Sequence, residues 1–187
     1  MTAFAVVPWS DWATAITAGV TCVSDRDLAR AAAVIRAAEV VLTAGNGGSA
    51  SLASHMAQAV SKPDYAPGGG HAAVCLTDHT PLLTAHANDG GWASAMAESA
   101  RPFLSGPHRV VLVAFSSSGR SENVVRLARL AREHGRDVVA FTGFDGEPLR
   151  SLATVSLHVD SRNYEVVEPV HDALLHRVQA HLRAKGS

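Results

Sequence analysis

The chain has 187 residues, of which 47% are hydrophobic and only 18% charged, with a formal net charge of −1. That size suits one compact domain with a sizeable core, and the composition excludes a disordered chain. With no Lys/Arg cluster and 5% aromatic residues, neither nucleic acid nor an anionic membrane is expected as a partner, whereas a small anionic substrate needs only a local positive field. Cys22 and Cys75 are far apart, with no Cys-x-x-Cys pair, and read as reduced core thiols. The N-terminus lacks a basic start and an apolar run, and no stretch approaches the ~20 apolar residues of a membrane helix. A cytoplasmic location is therefore expected.

Trp9, Trp12 and Ile16 recur at helical spacing, so residues 1 to about 20 are predicted as an N-terminal helix outside the sheet unit, suited to oligomerisation. Asp25 to Ala38 reads as a helix capped by Ser24. Val40 to Ala44 is short, β-branched and followed by glycines, as a buried parallel strand should be. A helix follows from Ser49 to Val60, then a Gly/Pro-rich loop from Pro63 to Gly70. Strands are predicted at Ala72–Leu76, Val110–Phe115, Asp137–Thr142 and Val155–Val159. Between them, Ser121 to His134 is a helix with Val124, Leu127, Leu130 and Ala131 on one face and Gly135 at the C-cap. A last helix runs to about Leu182. This alternation predicts a single α/β domain over 1–187, a doubly wound five-stranded parallel sheet with helices on both faces.

Two turns fall where the strands deliver the chain to a helix, the edge at which open α/β sheets bind ligands. The first is Gly45-Asn46-Gly47-Gly48-Ser49-Ala50, and the second is Ser116-Ser117-Ser118-Gly119-Arg120-Ser121. Glycines allow close backbone approach, helix N-termini favour anions, and hydroxyls donate to phosphate oxygens. Neither turn carries a P-loop or Rossmann signature, so a phosphate on a small molecule fits better than a nucleotide. Arg120 either adds charge to that site or points to solvent. His71, His79, His86, His108, His134 and His158 follow no ligand spacing.

These two turns in order, with His55 after the first, Asn88-Asp89-Gly90 between them and a His-bearing C-terminal helix, resemble the sugar isomerase (SIS) domain. Within it they are similar to the phosphoheptose isomerase branch, over about residues 25–182. The resemblance implies aldose–ketose isomerisation of sedoheptulose 7-phosphate to D-glycero-D-manno-heptose 7-phosphate through an enediol. It places Asn46, Gly47, Ser49, Asp89, Ser116, Ser117, Ser118, Ser121 and Glu165 at the substrate. It makes His176 a catalytic residue and implies zinc, with a homotetramer or homodimer sharing its active sites. The family's catalytic Glu, however, falls on Ala59, which can neither move a proton nor bind a metal. The family's Gln ligand falls on Glu168. Two readings follow. Either Glu168 replaces the lost base or ligand and is catalytic with His176, with His55, Glu168 and His176 as a three-ligand set, or the module binds a sugar phosphate or a protein partner without catalysis, as a relative that binds a replication initiator does. Glu168 and His176 lie eight residues apart, roughly 80° around a helix, and His171 competes with His176. Pro169 starts or kinks the helix.

Overall fold

In the computed structural model, which describes residues 6–62 and 70–184, five short β-branched segments form one sheet. The strands are β1 (Val40–Ala44), β2 (Ala72–Cys75), β3 (Val110–Ser116), β4 (Asp137–Thr142) and β5 (Val155–His158). Every pairing is parallel, in the order β2-β1-β3-β4-β5. The helices are α1 (Trp9–Thr21), α2 (Asp25–Arg36), α3 (Gly48–Ser61), α4 (Thr80–Gly90), α5 (Trp92–Leu104), α6 (Glu122–Glu133), α7 (Leu149–Leu152) and α8 (Tyr164–Arg183). The loop predicted over 63–70 lies, except for Gly70, outside the described residues.

The central strand β3 is buried at every position, and its alternate side chains feed opposite faces. Val111, Val113 and Phe115 pack with Ile35 of α2, Met56 of α3 and Leu174 of α8. Leu112 and Ala114 pack with Leu83 of α4, Met96 of α5, Leu127 of α6 and Leu149 of α7. Each fully buried Leu or Phe contributes about 1.5–3 kcal/mol, so both faces are needed to hold the sheet. No helix among the described residues is long and apolar enough to cross a membrane.

Local chemistry closes the elements where the pattern predicts. Ser24 Oγ accepts from Asp27 N at 3.1 Å and opens α2. After α6, Gly135 has φ +67°, Arg136 N bonds Ala131 O at 2.8 Å and Gly135 N bonds Arg132 O at 2.9 Å. That is the Schellman arrangement, which a left-handed glycine permits. The β2–β3 crossover differs from expectation, since it carries α4 and α5. Asn88-Asp89-Gly90, which reads as turn-like, forms the last turn of α4, and the reversal comes one residue later at Gly91. Cys75 is buried but Cys22, just past the end of α1, is exposed, so only one of the two free thiols is a core residue.

α1 stands outside the sheet and packs on α8. Their approach is close at Gly19, where a Cβ would come within 2.9 Å of Val170 Cγ2 and 3.3 Å of Val159 Cγ1. α8 itself runs from Tyr164 unbroken through Pro169. A proline has no N–H, so it leaves the carbonyl four residues back without its helical donor. That carbonyl belongs to Glu165, and the Trp12 indole Nε1–H donates to it at 3.0 Å. Trp12→Phe should therefore lower stability by about 1 kcal/mol in urea unfolding, whereas Trp9→Phe, at a ring 77% exposed, should change it little. Equal effects would show that the indole bond does not matter.

Candidate functional site

β1 and β3 are neighbours, but the helices that follow them lie on opposite faces, α3 in one core layer and α6 in the other. This is the topological switch point of the sheet, where a crevice opens beyond the carboxyl ends of the strands. The two turns meet there. Gly47 has φ +55° at the start of α3, and Gly119 has φ +69° against the backbone of Gly146, which a Cβ would overlap. Asn46 Nδ2 donates to Asn123 Oδ1 and Asn123 Nδ2 donates to Asn46 Oδ1, both at 2.9 Å. Asn123 Oδ1 also accepts from Val124 N at 3.0 Å, so the amide pair ties the first turn to the start of α6.

Between the turns is a cavity of about 180 Å³ lined by Asn46, Ser49, Ser116, Ser117, Ser118 and Ser121. Ser117 is only 4% exposed, and its Oγ has no hydrogen-bond partner among the described residues. Ser118 Oγ accepts from Arg120 N at 3.2 Å. Arg120 itself turns away and pairs with Asp145, whose carboxyl that guanidinium holds below its usual range. The positive field in the cavity thus comes from the N-termini of α3 and α6 rather than from Arg120. Gly47, Asp89 and Glu165 do not line the cavity. Gly47 shapes the turn, Asp89 is exposed and accepts from Asn88 Nδ2 at 3.1 Å, and Glu165 is exposed in the first turn of α8.

α8 closes the other side. Tyr164 and Glu168 reach the serine cavity, and a Cβ on Gly48 would collide with the Glu168 carboxylate. One turn further, Asp172 meets α3 instead, with its Oδ1 3.2 Å from His55 Nδ1. The rings of His55 and His176 lie edge to face with centroids 5.0 Å apart. One ligand atom each from His55, Asp172 and His176 lies within 4.8 Å of the others. The structure therefore brings His55 and His176 together, with Asp172 between them, and sets Glu168 at the serine cavity. Asp172 escaped the sequence reading, although it sits four residues from both Glu168 and His176. Ala59, one turn beyond His55, is buried.

His171 faces the core. It is fully buried, its Nε2–H donates to Thr142 O at 3.1 Å, and it lies edge-on to Phe115 and Phe141. Burial pushes its pKa down to about 4. The folded state therefore stays neutral where an unfolded His, near 6.5, takes a proton. Its contribution is complete above pH 6.5 and is lost as pH falls toward 4, at up to about 1.4 kcal/mol per pH unit. His171→Leu should flatten this part of the stability–pH curve. A slope identical to that of the parent chain would contradict it.

The chain matches the SIS domain over residues 14–143. It is 39% identical over 140 residues to the lincomycin biosynthesis protein LmbN of Streptomyces lincolnensis, covering 71% of this chain and 50% of that protein. The chain thus spans about half the length of that relative. It is 36% identical over 138 residues to a phosphoheptose isomerase of Burkholderia pseudomallei, covering 74% of this chain and 69% of that one. Among solved structures, phosphoheptose isomerase GmhA from Neisseria gonorrhoeae superposes with a TM-score of 0.81 at 29% identity, covering 92% and 95% of the two chains.

Proposed function

The chain belongs to the SIS domain family, in its phosphoheptose isomerase branch, and on that footing we propose that it interconverts a sedoheptulose 7-phosphate-like ketose and its aldose. The observation that carries this reading is the cavity between two helix N-termini lined by Ser49, Ser116, Ser117, Ser118 and Ser121, at whose wall the buried Ser117 Oγ has no partner among the described residues. A buried donor without an acceptor costs about 1–3 kcal/mol, and a phosphate oxygen is the acceptor such a cavity suits.

With the phosphate there, α8 measures out the sugar. Eight residues separate Glu168 from His176, about 12 Å along the helix axis, a span suited to a six- or seven-carbon chain rather than a triose. Glu168 then meets hydroxyls near the phosphate end, and His176 stands at the reacting end. Isomerisation removes a proton from the carbon next to the ketose carbonyl, passes through the enediol and returns a proton at the former carbonyl carbon. An imidazole suits the accompanying proton exchange between the two oxygens. His55 and His176 also suit zinc, which takes nitrogen and oxygen donors. When bound, zinc would polarise the sugar carbonyl. Trp9 and Val6, 77% and 96% exposed, favour assembly into a homodimer or homotetramer through the N-terminal segment, and we place the protein in the cytoplasm.

Ala59 favours a second reading, a module that binds the sugar phosphate without turning it over. Incubating the chain with sedoheptulose 7-phosphate, with and without zinc, and following aldose formation separates the two. Turnover supports the isomerase, and tight binding without turnover under both conditions supports the module. Ser117→Ala should weaken substrate binding about tenfold while leaving stability unchanged or raised by up to about 1 kcal/mol, since it removes an unpaired buried hydroxyl. Unaltered affinity would remove Ser117 from the site. Glu168→Gln should act mainly on KM. Loss of kcat alone would instead put Glu168 at the reacting carbon.

A further inference from the structure

We infer that Asp172 is the carboxylate ligand of a divalent-cation site formed with His55 and His176, an assignment that rests on the metal reading above. Its donors come from two helices that run side by side. α3 supplies His55, and successive turns of α8 supply Asp172 and His176, the four-residue spacing that puts two ligands on one helical face. The separation of His55 Nδ1 and Asp172 Oδ1 is the most informative distance. At 3.2 Å it is longer than the ~2.7–2.9 Å of a charge-assisted hydrogen bond. Two donors each ~2.0–2.1 Å from a tetrahedral zinc would lie about 3.3 Å apart. His176 lies within 4.8 Å of both, and its exposed side chain has room to close the remaining distance.

The surroundings of the cluster fit ligation too. His176 Nδ1–H donates to Gln179 Oε1 at 3.1 Å. An amide oxygen only accepts, so this bond fixes the proton on Nδ1 and leaves Nε2 free to face a cation, the outer-shell arrangement usual for a ligating imidazole. Gln179 is 3% exposed, so the orientation is held from the core side. The side chains of His55 and Asp172 keep 34% and 46% of their surface. Three protein ligands with solvent on the remaining side leave one coordination position for substrate. Glu168 is directed elsewhere, into the serine cavity.

The test is calorimetric titration of the chelator-treated full chain with Zn²⁺. We expect one zinc per chain, with affinity at least about tenfold weaker in Asp172→Asn and His55→Ala and unchanged in Glu168→Gln. Co²⁺ substitution gives a second readout, since Asp172→Asn should weaken and shift the visible bands of tetrahedral cobalt. Asp172 is half-exposed, and a thermal melt checks that the variant is folded. Zinc bound equally well by Asp172→Asn overturns this assignment while the metal reading stands. Weakening by Glu168→Gln alone gives the ligand role to Glu168 and overturns it as well. No zinc bound by the parent chain overturns both. Zinc held through Asp172 without turnover of sedoheptulose 7-phosphate upholds the assignment and sinks the isomerase reading.

Discussion

The reciprocal amide pair of Asn46 and Asn123 sets the geometry on which the site depends. Parallel strands β1 and β3 deliver two Gly- and Ser-rich turns to the same edge, but their helices depart to opposite sides of the sheet. The ladder aligns β1 with β3 as far as Ala44 and Ala114, and side chains join the chain beyond it. Two hydrogen bonds of 2.9 Å do this, between Asn46 of the first turn and Asn123 at the start of α6. An amide offers a donor and an acceptor together, so each Asn satisfies the other without drawing on the serine hydroxyls of the second turn. Gly119, packed where a Cβ would meet Gly146, sets the second turn from below.

Upon that fixed cavity α8 acts as a graduated rail. Its buried stripe, with Val167, Val170, Leu174 and Val178, anchors it on the sheet. A second stripe presents Glu168, Asp172 and His176 at steps of four residues. The drift of about 40° per step turns this row gradually from the serine cavity toward α3. Neutral His171 belongs to the buried stripe and ties α8 to the end of β4, which explains why it takes no part beside its neighbour His176.

Much of this was legible in the residues. β-branched runs ending in glycine or serine marked β1 and β3 and the two turns that follow them. His55 and His176, on two predictable helices, lie with ring centroids 5.0 Å apart, whereas Glu168, which the sequence grouped with them, lines the serine cavity. α4 and α5 were hidden because their buried sides are built from small residues such as Ala95, Ala97 and Ala100, and Pro102 interrupts the pattern. Asn123 looks like any polar residue near a helix start, and its partner is 77 positions away. Asp172 reads as a solvent-facing acid, and only the seating of α8 against α3 shows that it has a companion. The proline at position 169 suggested a helix start or kink, but the missing donor is supplied from another element.

That substitution of an indole for a backbone amide makes the amino-terminal helix part of the internal wiring of the carboxy-terminal one. Glu165, whose carbonyl receives the Trp12 proton, lies one turn before Glu168 and two before Asp172. A force that tilts α1 is therefore transmitted to the turn of α8 that carries Glu165 and Glu168. Loss of Trp12 therefore leaves the Glu165 carbonyl without its donor and reaches the helix that carries Glu168, Asp172 and His176.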